Sequence, residues 1–215
     1  MHIPDGFISP KTYLPAYGLS AGLWMYGLSR LREKMDEEAV PMVAVLTALS
    51  FILMMILIPL PGGASAHAMG VAILAVLFGV WVSFTSISLV LLIQALLFGD
   101  GGITSLPVNA LAMGFAGSVS AYYVFRLLRP FQLRAALFAA GWFSVNISAL
   151  VSAVVLGIQP AIAHTAEGMP LFFPFGLSTT LPAVMIPHSL IGIGEGILTV
   201  LMFQFFDKLK GKPGQ

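Results

Sequence analysis

The residues of this chain with the most chemical reach lie at its very start. In Met1-His2, a free α-amine, the His2 backbone amide nitrogen and the His2 Nδ1 can close five- and six-membered chelate rings on one ion. Three nitrogens then share a plane, and a fourth would complete the square-planar or tetragonal field that suits Ni(II) or Cu(II). The chain has four His, nine acidic residues and no Cys, so any metal must be held by nitrogen or oxygen. His67 is the natural fourth donor. It follows Pro61-Gly62-Gly63-Ala64-Ser65-Ala66, a turn-rich run whose small residues would let another segment approach closely. Each feature alone has a plainer explanation: any second residue can be His, and His67 could equally cap or border a helix.

His188 and Glu195 are seven residues apart, close to two helical turns, and so share one helix face. An ionisable residue within an apolar span is a functional suspect by default. With a square plane already filled, hydrogen bonding to the ligands or helix packing suits this pair better than direct ligation. Asp100, Gln94, Asn109 and Asn146 suit the anchoring of loops and helices, and His164 suits a solvated loop. Met54-Met55 and Phe172-Phe173 suit ordinary packing.

The elements that must position these groups are set by composition. Of 215 residues, 58% are hydrophobic and 9% charged, with a mean hydropathy of +0.96, which makes lipid the solvent. A net charge of +1 and scattered Lys and Arg argue against nucleic acid as a partner. Spanning hydrocarbon takes roughly 20 apolar residues, and suitable stretches lie near 12–28, 41–60, 67–82, 84–98, 107–128, 135–158 and 181–206. The division between the third and fourth is the weakest. Nine of the ten basic residues fall in three groups: Arg30, Arg32 and Lys34; Arg126, Arg129 and Arg134; Lys208, Lys210 and Lys212. Seven spans put all three groups on one side, which the positive-inside rule makes the cytoplasm. The expected fold is therefore an all-α polytopic membrane bundle of about seven helices, N-terminus outside and C-terminus cytoplasmic. It forms a single domain over 1–215, and residues 1–11 are a metal-binding segment folded into the bundle. The start lacks the basic n-region of a signal peptide and reads as a mature N-terminus.

Small residues recur four apart at Ala44 and Ala48, Gly18 and Gly22, and Gly114 and Ser118, a spacing that permits close helix contact. No Gly-x-x-x-x-Gly-Lys-Ser/Thr loop, His-Glu-x-x-His or Gly-x-Ser-x-Gly occurs.

Four segments in order, Met1-His2-Ile3-Pro4-Asp5-Gly6-Phe7, Ser65-Ala66-His67, Gln94 to Gly102 and Pro187 to Glu195, closely resemble the cobalt/nickel S components of energy-coupling-factor transporters. The resemblance, to the family called CbiM for cobalt and NikM for nickel, runs over nearly the whole chain. It implies a non-catalytic, multi-pass subunit of a prokaryotic plasma membrane that takes Ni2+ or Co2+ as substrate and has no catalytic cofactor. It further implies metal held by Met1, His2 and His67, and an extra N-terminal helix relative to six-helix vitamin-binding relatives. The implied partners are a transmembrane coupling subunit docking on an Ala-xxx-Ala surface, here Ala44 and Ala48, two ATPase subunits and a small accessory membrane subunit. The start Met-His-Ile-Pro-Asp-Gly is nearer the nickel branch. The rival readings are an S component for an organic vitamin and an intramembrane metal-dependent hydrolase using His188 and Glu195.

Overall fold

The structure is a computed structural model, and it describes residues 2–59 and 65–210. Met1, the Pro61-Gly62-Gly63 run and Lys212 lie outside the described residues.

Seven helices form the chain among those residues: α1 (Pro10–Lys34), α2 (Ala39–Met55), α3 (Val71–Phe78), α4 (Val80–Phe98), α5 (Leu106–Leu128), α6 (Leu133–Ile162) and α7 (Leu177–Lys210). The last four are long and apolar enough to cross a membrane, and α2 is apolar but 17 residues long. The helix count matches the expectation, while the bounds differ for local reasons. α1 begins earlier because Pro10 occupies its first turn, where a missing N–H costs nothing, and it runs on through charged residues that a hydropathy window discards. α2 stops at Met55, short of residue 60. Ile58 precedes Pro59, which disfavours helix, and the chain turns extended there. Ile58–Pro59 pairs antiparallel with Ser65–Ala66, Ile58 opposite Ala66.

The stretch expected to span 67–82 contains a helix of only eight residues. Gly70 at φ +67 and Gly79 at φ +87 bracket it in backbone conformations that side chains resist. An eight-residue helix cannot cross hydrocarbon alone. It is packed inside instead, with Val71, Ala72, Ile73, Leu74 and Ala75 fully buried. His67 accordingly does not open a helix. It sits in a non-helical strap, residues 67–70, between the extended pair and α3.

The core forms where α3, α4, α5 and α6 meet, around Met69, Ile73, Phe84, Ile87, Met113 and Val145. Close approach depends on small residues: a Cβ on Gly114 would lie 3.1 Å from Phe84, and Ser118 donates to Ser83 across 2.7 Å. A Cβ on Gly18 or Gly22, by contrast, would meet nothing within 4 Å among the described residues. A close crossing also joins α6 and α7, where a Cβ on Gly141 would lie 2.7 Å from the Glu195 carbonyl oxygen and 2.8 Å from the Gly196 Cα.

Helix ends collect into two opposite faces. Lys34, Phe78, Gly79, Arg126 and Arg129 line one cleft, and Arg134 and Lys208 line another at the same end of the bundle. Residues 2–9, the α4–α5 loop and the segment after α6 meet at the other end.

Candidate metal centre

The N-terminal segment is drawn into the bundle by its two isoleucines. Ile3 and Ile8 are buried against Val108, with Tyr13, Ala16, Val155 and Leu156 around them. Its backbone would be left unsatisfied there, and side chains supply the partners. Ile3 N–H donates to Asn109 Oδ1 at 2.9 Å, and Asn109 Nδ2 donates back to the Ile3 carbonyl at 3.0 Å. Ser105 Oγ donates to the same carbonyl, and Ser9 N–H donates to Gln159 Oε1 at 2.9 Å. Phe173 N–H closes over the segment onto the Phe7 carbonyl.

Asp5 fixes the segment's height. Its carboxylate accepts the N–H groups of Ile103 and Thr104 at 3.0 and 2.8 Å and the Thr104 hydroxyl at 2.5 Å, at the turn leading into α5. Negative charge suits exposed N–H groups at that end of a helix. Burial alone would raise the Asp5 carboxyl, but these hydrogen bonds outweigh it and hold the group below its ordinary value. A Cβ on Gly102 would lie 2.1 Å from Asp5 Oδ1, so the Asp5 seat exists only because residue 102 is Gly.

The α4–α5 connection brings Asp100 to the N-terminus. Gln94–Phe98 closes α4 in wide π turns, Gly99 takes φ +67, and Asp100 N–H returns to the Gln94 carbonyl at 3.2 Å. A left-handed glycine followed by a backward hydrogen bond is an ordinary way to end a helix, and it turns Asp100 across the bundle. Asp100 Oδ2 lies 2.8 Å from His2 Nδ1.

His2 and His67 meet face to face, their ring centroids 4.7 Å apart and their planes 23° from parallel. Both rings are removed from solvent, the His2 side chain at 2% and His67 at 0% exposure. His67 Nδ1 lies 3.2 Å from the Ala68 carbonyl, an acceptor only, so Nδ1 carries the proton and Nε2 is left with its lone pair. Among the described residues that buried Nε2 has no partner, and neither nitrogen of His2 has an aligned one. Native interiors rarely leave such groups empty-handed. Burial lowers His67 well below the usual imidazole value, and the neighbouring His2 adds to the effect. Burial also lowers His2, against the opposing pull of Asp100. Asp100 in turn is held low by His2, in spite of its own burial. The site therefore holds two neutral imidazoles and one carboxylate at neutral pH.

His188 and Glu195 sit on α7 beside this group without joining the stack. His188 Nδ1–H donates to the Val184 carbonyl at 2.7 Å and leaves a buried, unpartnered Nε2. The Glu195 carboxylate accepts Met69 and Gly70 N–H groups, both at 2.8 Å. Among the described residues, no three His, Asp or Glu side chains converge on one point. His2 and His67 would thus need backbone or terminal nitrogens to complete a coordination sphere. His164 lies away from the site, with Nδ1–H on the Pro160 carbonyl. The roles of Asp5, Gln159 and Asn109 in seating the terminus were not legible in spacing, since each reaches about a hundred residues or more along the chain. Ala44 and Ala48 are exposed on α2, away from the core.

Comparison with known proteins gives a consistent result. The model of the CbiM family, a cobalt uptake substrate-specific transmembrane region, matches residues 2–212. Over 213 residues the chain is 39% identical to the "Probable fused nickel transport protein LarMN" of Lactiplantibacillus plantarum, covering 97% of this chain and 65% of that one. It is 30% identical to the cobalt transport protein CbiM of Clostridium tetani, covering 99% of this chain and 86% of that one. A crystal structure of a truncated transition metal transporter superposes with a TM-score of 0.93 at 36% identity, covering 97% of this chain and 99% of the other.

Proposed function

The chain belongs to the CbiM family of substrate-specific transmembrane regions for cobalt uptake, and from that premise we propose that it captures a divalent transition metal, nickel before cobalt, for ATP-driven import. The carrying observation is the buried His2–His67 stack, with an imidazole Nε2 that has no hydrogen-bond partner among the described residues. In this reading the amine of Met1, the amide nitrogen and Nδ1 of His2, and Nε2 of His67 form the four-nitrogen field. A square plane of nitrogens suits Ni(II), and supply and cavity shape must exclude copper, which such donors intrinsically prefer. Asp100 at His2 Nδ1 supports the assignment, because a dication entering there would meet a carboxylate already in place. The fused relative is named for nickel, and the Clostridium relative for cobalt.

The chain is a transport subunit in this account, with the metal as cargo and no resident cofactor. It spans a prokaryotic plasma membrane with the His2 end outside and the basic clefts at the cytoplasmic face. The chain spans 65% of the length of the fused relative, and in this reading separate subunits supply the coupling to ATP. These are a coupling membrane subunit, a pair of ATPases and a small accessory membrane subunit. Ala44 and Ala48, exposed one turn apart on α2, offer the coupling subunit a surface of close approach. A hydrolase built on His188 and Glu195 is disfavoured, since the carboxylate is committed to two backbone N–H groups and the imidazole to a carbonyl. A vitamin-binding reading predicts that the two imidazoles are dispensable for ligand binding.

The test is a Ni2+ titration of purified protein beside His2→Ala and His67→Ala. One tightly held nickel per chain, absorbing as a square-planar nitrogen complex, is expected in the native chain, with far weaker binding and an altered band in both variants. Binding indifferent to both substitutions would refute the assignment.

A further inference from the structure

Glu195 is an acid in the middle of an apolar helix, 1% exposed, and among the described residues it forms no ion pair. Burying a carboxylate without a counter-charge is costly unless hydrogen bonds replace its water. Both replacements come from one place. Glu195 Oε2 accepts Met69 N–H and Oε1 accepts Gly70 N–H, each at 2.8 Å. These are the second and third residues after His67, in the non-helical strap that carries it. A strap without helical hydrogen bonds has few means of holding one geometry, and one side chain that accepts two successive N–H groups supplies such a means.

The other side of the strap is closed as well. A Cβ on Gly70, which has φ +67, would lie 2.7 Å from Ser50 Oγ on α2. The carboxylate itself is rigidly mounted. Glu195 lies at a close α6–α7 contact, its carbonyl accepting the Thr199 hydroxyl at 2.8 Å and leaving no room for a Cβ on Gly141.

We infer that Glu195 is the positioning residue of the metal site: by gripping the N–H groups of Met69 and Gly70 it sets His67 Nε2 opposite His2 and ties the strap to the α6–α7 pair. The inference rests on the reading of His67 as a ligand. A residue that acts only through His67 must lose its influence once that imidazole is gone.

A double-mutant cycle on the full chain, read by Ni2+ titration and by the nickel absorption band, tests this. Glu195→Gln keeps shape but turns an amide NH2 toward one of the two N–H donors. Affinity is expected to fall about tenfold, the scale of one buried N–H left without its acceptor, with the band shifting toward that of His67→Ala. In the His67→Ala background the same change should leave the weak residual binding unaltered. Wild-type affinity in Glu195→Gln, or an equal loss in both backgrounds, would overturn the inference. Should Glu195→Gln fail to fold, Glu195→Asp, which keeps the charge and shortens the reach, is run through the same cycle with the same criteria. If His67→Ala itself binds like wild type, the ligand reading fails, and that outcome is visible separately.

Discussion

An imidazole whose Nδ1–H is spent on a backbone carbonyl can offer only Nε2, and His67 is held in that tautomer by Ala68. Its partner His2 keeps the opposite nitrogen, Nδ1, beside Asp100. Burial depresses both imidazoles, which fixes the sign of their acid response. An unfolded imidazole takes its proton near pH 6.5, whereas these buried ones take it later. The folded state thus binds fewer protons, so the stabilisation is complete above that pH and is lost as pH falls through the lower folded values. Metal-free protein is expected to unfold more easily at about pH 5 than at about pH 7. Replacing both imidazoles by Gln should flatten the difference, and an unfolding midpoint unchanged between those pH values in the native chain would contradict buried, neutral His2 and His67. Sequence made His2 and His67 visible, because denticity and ligand type are local properties. Asp100 was visible only as a loop acid, since its approach to His2 depends on π turns in α4 and a left-handed Gly99 that no period announces.

Element by element, hydrophobic length located the helices but could not say how two of them end. The segment 67–82 reads as a span, yet glycines at 70 and 79 cut it to eight helical residues and leave a strap where the site needs one. Small residues show the same limit. Gly18 and Gly22 have the spacing of a packing motif, yet a Cβ on either would meet nothing within 4 Å among the described residues, whereas Gly141, with no such partner in sequence, lies at the α6–α7 crossing. Overpacking of this kind costs roughly 1–3 kcal/mol, and here the obstructing atoms include backbone. Gly141→Val is therefore expected to lower the thermal unfolding midpoint in detergent and to weaken nickel binding, while Gly18→Val changes neither. Equal effects of the two substitutions would show that the crossing has been misread.

Across the whole molecule, chemistry and charge separate to opposite ends. The His2 end gathers the N-terminal segment, the α4–α5 turn and the strap, and the far end gathers Lys34, Arg126, Arg129, Arg134 and Lys208. In the proposed orientation, metal arrives at one face and energy is applied near the other. On α2, Ala44, Val45, Ala48 and Ile52 are exposed, an apolar face that lipid or a coupling helix must cover. Ala44→Leu with Ala48→Leu should leave nickel affinity intact and sharply reduce co-purification with the coupling subunit. Full co-purification would move the docking surface elsewhere.

The central claim is that the chain start itself is a ligand, and one added residue tests it. Nickel titration of the native protein is compared with a form carrying a single extra residue before Met1, since displacing the amine breaks a chelate ring while Asp5, Asn109 and Gln159 still seat the segment. Tight one-to-one binding in the native form, lost in the extended one without loss of folding, is the expected result. An extended chain that binds nickel as tightly as the native one would contradict it.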